Sequence, residues 1–164
     1  MTGAFSLLGA ALVAIACLIF GRSYAGYIKE RVADYSSVFD FFELMRREIS
    51  CRLATPRELA YRAGGGRLCE IGFFALLERG ESLGEAFRAV SDKLSLSGRD
   101  ALLVERYFDG FGGGDATGEL RSLDIAIEEL SARVTAVREE APTQIRLAVT
   151  LSVLFALGTL ILLL

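Results

Sequence analysis

The chain has 164 residues, a formal net charge of −3 at pH 7 and no histidine. The commonest general base at neutral pH, the usual histidine-based triads and most zinc sites are thereby removed together. Its 21 acidic side chains are interspersed with 18 basic ones, of which only Lys29 and Lys93 are lysine, so no basic block points to a nucleic-acid partner.

Every charged residue lies between Arg22 and Arg146. A helix of about 20 residues crosses a hydrocarbon core about 30 Å thick, and the apolar stretches Thr2–Gly21 and Leu147–Leu164 meet that length. The expected architecture is all-α: a transmembrane helix over 1–22, one helical-bundle domain over 23–144 and a second transmembrane helix over 145–164. Arg22, Lys29 and Arg31 follow the first span and Arg138 and Arg146 precede the second, while the outer flanks carry no basic side chain. The positive-inside rule therefore puts the body in the cytoplasm. Ala14-Ile15-Ala16-Cys17 resembles a lipoprotein cleavage site, but the basic segment such a signal needs is missing ahead of it. Cys17 sits in the first span, and the isolated Cys51 and Cys69 read as two small buried thiols on a reducing side.

Within the body, Ile28, Val32, Tyr35, Phe39, Phe42, Ile49 and Leu53 recur in helical steps, with Met45 filling the gap, and predict a long amphipathic helix. Thr55-Pro56-Arg57-Glu58 combines a capping side chain, proline at the first helical position and glutamate three after the cap, so a new helix begins at Pro56. Gly64-Gly65-Gly66 ends it. Leu68–Arg79 is then a helix stopped by Gly80, a residue suited to the left-handed conformation of a helix end. Ser82-Leu83-Gly84-Glu85 is a capping box for a helix carrying Leu83, Ala86, Phe87, Val90 and Leu94. Ser97 caps the next helix, with Leu102, Leu103 and Phe108 among its apolar residues.

Gly110 and Gly112-Gly113-Gly114 form the connection to the last helix. Its apolar residues Leu120, Leu123, Ile127, Leu130, Val134, Val137 and Ala141 advance by alternating steps of three and four. That narrow seam suits packing against the first long helix running the opposite way. Pro142 predicts a kink or break near the second span. The body thus reads as a bundle of about six helices.

Gly110–Gly114 lacks the preceding strand and the Gly-Lys-Ser/Thr ending of a phosphate-binding loop. Asp109, Asp115, Glu119 and Asp124 do not follow the ligand spacing of an EF-hand. No catalytic, cofactor-binding or metal-binding residue is therefore expected, and no cofactor. A membrane-anchored hydrolase built on Asp109, Asp115 and Glu119 is the enzyme alternative. The candidate partner-docking residues are Arg46, Arg47, Glu48, Arg57, Asp109, Asp115 and Glu119. Thr55, Pro56, Gly80, Ser82, Gly112 and Pro142 are the structural positions. Gly9, Gly158, Ser6, Ser152 and Thr159 would let span helices pack closely, so a homo-oligomer is possible. No ionisable residue lies within either span, which argues against a transporter.

In order along the chain, Arg47-Glu48-Ile49 leading to Thr55-Pro56, Leu77-Glu78-Arg79-Gly80-Glu81-Ser82 with Glu85-Ala86-Phe87, Leu94-Ser95-Leu96, Phe111-Gly112 and the Leu-rich C-terminal end resemble the stage III sporulation protein AB family. The likeness covers most of the chain. It departs after Phe111-Gly112, where Asp115-Ala116 and then Glu119 stand in place of Leu-Gly and Asp. The resemblance implies a non-enzymatic part of the channel apparatus between mother cell and forespore, needed after engulfment and set in the mother-cell membrane around the forespore. It further implies similarity to the cytoplasmic helical domain of type II secretion and type IV pilus platform proteins. Its partners would be a hexameric secretion-type ATPase like stage III sporulation protein AA, other membrane channel subunits and the lipid bilayer. An ordinary secretion or pilus platform subunit and a membrane-tethered regulator are the alternatives.

Overall fold

The computed structural model describes residues 2–51, 58–59, 65–112 and 116–163. Among these residues there is no strand, as an all-α chain requires. The helices are α1 (Thr2–Cys51), α2 (Arg67–Glu70), α3 (Phe73–Glu78), α4 (Leu83–Val90), α5 (Gly98–Gly110) and α6 (Ala116–Leu163), with a 3-10 turn at Ser91–Lys93. The chain packs as two units: Arg31–Val137, and Met1–Glu30 together with Arg138–Leu164.

In the first of these units, α1 buries Tyr35, Val38, Phe41, Phe42, Met45 and Ile49. Val32 is only half-buried, and Phe39 packs partly buried at the margin of the core. The buried face is therefore wider than a single seam and includes Val38 and Phe41. On α6 the expected seam is present: Leu123, Ile127, Leu130 and Val134 are buried, with Leu120 and Val137 packed against the same core. Phe108 of α5 belongs to the same core, with ring centroids 6.0 Å from Phe41, 5.2 Å from Phe42, 6.1 Å from Phe73 and 5.5 Å from Phe87. Edge and offset contacts of this kind add roughly 0.5–1.5 kcal/mol per pair beyond the burial of their area.

The short helices follow their local signals, with one correction. Leu68–Arg79 is not one helix: it divides into α2 and α3 because Gly72 adopts φ 90°, a left-handed conformation that ends one helix and starts the next. Gly80 stops α3 at φ 94° as expected. At α4 the capping box is complete. Glu85 N donates to Ser82 Oγ at 3.3 Å, and Ser82 N donates to the Glu85 carboxylate at 3.3 Å. The hydrogen bond from the Ser82 hydroxyl, followed by that from its backbone N–H, holds the Glu85 carboxyl below its ordinary value. Cys69, expected to be a buried thiol, is instead exposed on α2. Thr55, Pro56 and Arg57 lie outside the described residues, as do Leu53 and Gly64.

Among the described residues two carboxylates are buried in this body, and both are satisfied. Asp34 on α1, with none of its surface exposed, accepts from Arg67 Nε at 2.9 Å and from the backbone N–H of Ser95 at 2.8 Å. The hydroxyl of Tyr35, the next residue, donates to Asp100 Oδ2 at 2.6 Å and accepts from Ser97 N at 3.0 Å. Asp100 also accepts from Ser97 Oγ at 2.7 Å, and Arg133 of α6 lies 3.5 Å from its other oxygen.

In the other unit, the exposed large apolar residues Leu12, Val13, Ile15, Leu18, Ile19 and Phe20 of α1 and Leu147, Val149, Leu151, Val153, Leu154, Phe155, Leu157 and Ile161 of α6 make both helices long and apolar enough to cross a membrane. The two helices meet at Gly21, where an added Cβ would lie 2.7 Å from Ser152 Cβ, so only glycine fits this approach. α6 runs through Pro142 as one helix. Of the kink or break expected there, the break is absent, although proline has no N–H to donate to the carbonyl four residues back.

Replacing Asp34 by alanine removes the acceptor of Arg67 Nε and of the Ser95 N–H, while Arg67 keeps Glu70, and losing a buried acceptor in this way costs about 1–3 kcal/mol. Thermal unfolding of the full chain in detergent, followed by circular dichroism, should show a clearly lowered midpoint for Asp34→Ala. An unchanged midpoint would mean that the buried carboxylate does not hold the body together.

Candidate docking surface

A groove of about 1350 Å³ runs between α5 and α6 within the body. α5 brings Arg99, Leu102 and Arg106 to it at steps of three and four, and α6 brings Ser122, Ile125 and Glu129 at the same steps. Each helix thus turns one continuous face to the groove. Leu102 is 65% exposed and Ile125 56% exposed. Leu102, expected among the apolar residues of α5, is displaced from the core because Val104 and Phe108 occupy the inward face.

Of the candidate docking residues, Asp109 and Glu119 line this groove, and both are already engaged. Asp109 Oδ2 accepts from Arg88 Nη2 at 2.9 Å, and Arg88 Nε also donates to Glu105 Oε1 at 2.6 Å. Glu119 Oε1 accepts from the backbone N–H of Gly112 at 2.8 Å, and Gly112 turns the chain at φ 90°. Glu119 therefore clasps the connection between α5 and α6. A Cβ at Gly84 would lie 2.9 Å from the Asp109 carboxyl carbon, so glycine lets α4 approach α5 there.

Arg46, Arg47 and Glu48 lie on α1 and do not line the groove. Arg46 Nε is 2.8 Å from Asp124 Oδ1 of α6, with both side chains about half exposed. A pair so open to water adds little stability, and it ties α1 to α6 more than it presents a free charge. Arg47 Nε donates to the Glu43 carbonyl at 3.3 Å, and Glu48 is half-buried. Arg57 and Asp115 lie outside the described residues. Among the described residues no group of three or more His, Cys, Asp or Glu side chains is arranged to hold a metal ion.

The groove also holds Tyr107, whose buried hydroxyl has no hydrogen-bond partner among the described residues. Burial, and secondarily the Glu119 carboxylate, push its phenol above the ordinary tyrosine value. The sequence carries one signal for this groove: Ile125 stands outside the three-and-four seam of α6, as an apolar residue on the face the seam leaves to solvent.

Because the folded phenol ionises later than the unfolded one, folding stability from this source is present below pH about 10 and is lost as pH rises above it. Tyr107→Phe should therefore flatten the alkaline decline of the unfolding midpoint. At neutral pH it should leave the midpoint unchanged or raised, since it deletes an unpaired buried group. An alkaline decline identical to that of the unaltered chain would contradict the assignment.

No curated protein and no solved structure matches this chain. A family model described as stage III sporulation protein AB matches residues 6–164, nearly the whole length, and the chain belongs to that family.

Proposed function

We propose that the protein is a non-enzymatic platform of the secretion-like channel complex between mother cell and forespore. It spans the membrane at 1–22 and 145–164, holds its helical body in the cytoplasm and docks a secretion-type ATPase like stage III sporulation protein AA. Family membership supports the developmental role. The observation that carries the platform reading is the contrast between the two units. One exposes apolar side chains along both helices, as a lipid-facing pair must. The other is a closed helical body whose surface carboxylates, Asp109 and Glu119, are held by an arginine and a backbone N–H. Carboxylates so committed serve scaffolding better than acid–base catalysis, which argues against a hydrolase on Asp109, Asp115 and Glu119. Arg46, Arg47, Glu48, Arg57, Asp109, Asp115 and Glu119 are the residues proposed to meet partners. The long helices α1 and α6 each contribute to both units and would carry force from the ATPase to the bilayer.

Deleting the gene in its own host and following spore development by membrane-dye microscopy tests the reading, with the intact copy restored as control. The expected result is arrest after engulfment, with a shrinking forespore. Normal spores accompanied by loss of pili or secretion would instead assign the same architecture to an ordinary platform.

A further inference from the structure

Among the described residues, the groove between α5 and α6 has unpaired charge of opposite sign on its two walls: on α5 the acidic Glu105 and Asp109 are taken by Arg88, which leaves the arginines, and on α6 the lining charges are acidic. Arg99 and Arg106 flank Leu102 on α5; both are exposed and have no ion pair among the described residues. The opposite wall, on α6, places Ile125 between Glu119 at one end and Glu129 at the other, and Glu129 is likewise exposed and without an ion pair among the described residues. The relative level of the two helices is fixed by Asp100 beside Arg133 near the start of α5, and by Gly112 bonded to Glu119 near its end. Arg99 is therefore level with the part of α6 that carries Glu129, and Arg106 with the part nearer Glu119 and Ser122.

We infer that this groove is a self-association surface, and that its occupant is the same α5–α6 hairpin of a second copy. A two-fold axis running along the groove carries the basic wall of one copy over the acidic wall of the other without changing level. Arg99 then meets Glu129 of the second copy, Leu102 meets Ile125, and Arg106 meets the end of α6 that bears Glu119. Every contact occurs twice, as an isologous interface requires. The product is a four-helix bundle made of two hairpins. Its centre is apolar, from Leu102, Leu103, Tyr107 and Ile125, and its ends are charged, the core-and-rim pattern of protein interfaces. A single copy leaves Leu102 and Ile125 in water at 65% and 56% exposure, and pairing removes both. The charges also select against the parallel alternative of α5 on α5, which would bring arginines together.

The test uses the full-length chain in lipid nanodiscs and in detergent, with Cys17, Cys51 and Cys69 replaced by serine. Copies carrying Leu102→Cys are mixed with differently tagged copies carrying Ile125→Cys and treated with a short bis-maleimide. The expected result is a 102-to-125 product that exceeds the 102-to-102 product. By analytical ultracentrifugation, Arg99→Glu with Arg106→Glu should weaken dimerisation by about tenfold, and adding Glu129→Arg to that chain should restore part of it. The cysteines sit at exposed positions, so crosslinking decides even where a charge-reversed chain folds poorly. A monomer at tens of micromolar, a dimer indifferent to these changes, or crosslinks that favour 102 with 102 would each overturn the proposal. So would a monomer whose groove variants nevertheless lose sporulation, since the groove would then serve a different protein.

Discussion

The body is organised by two adjacent residues on one turn of α1. Asp34 is fully buried, where an unpartnered polar group is costly, yet Arg67 and the Ser95 N–H satisfy it. Tyr35 next to it holds Asp100 and Ser97. Through these bonds α1 fixes the start of α2, the extended connection that follows the 3-10 turn, and the first turn of α5; Asp100 then reaches Arg133 of α6. Apolar packing supplies most of the driving force for folding but is tolerant of small slips in register. A directional network that leaves no buried acceptor unpaired is not, and replacing any member exposes the others to an unsatisfied state.

Placed by that network, α5 brings Phe108 into a ring cluster drawn from α1, α3 and α4. The inward face of α5 is then full, which is why Leu102 is left outside. The same constraint therefore accounts for the closed core and for the open groove beside it. Charges near the groove are partly absorbed: Arg88 takes Glu105 and Asp109, and Gly112 takes Glu119. Among the described residues that line the groove, Arg99, Arg106 and Glu129 stay available, set around two exposed aliphatic side chains.

Much of the fold could be read from local pattern. The steps of three and four along α6, the Ser82–Glu85 capping box, the Ser97 cap and the stop at Gly80 each encode a structure within a few residues, and each is present. The misreadings concern information that is not local. Val38 and Phe41 are core because helices cover α1 on more than one side, whereas a periodicity template assumes one buried face. Gly72 sits inside an apolar run that reads as one helix, and only its left-handed backbone reveals two. Nothing local marks Asp34 and Asp100 as buried, because the groups that satisfy Asp34 and the tyrosine that holds Asp100 lie more than thirty positions away in sequence. For the docking candidates, charge identifies Arg46 and Asp109 as surface residues, and the structure adds that Asp124 and Arg88 pair with them.

The proposed orientation puts the body on the cytoplasmic side between two spans, and Cys69 offers a direct test because it is exposed on α2. With Cys17 and Cys51 replaced by serine, the protein is produced in non-sporulating cells, where its membrane is the plasma membrane, and these cells are treated with a membrane-impermeant maleimide before and after lysis. Labelling of Cys69 only after lysis is the predicted result. Labelling in intact cells would put the body on the other side of the membrane and contradict both the orientation and the docking of a cytoplasmic ATPase.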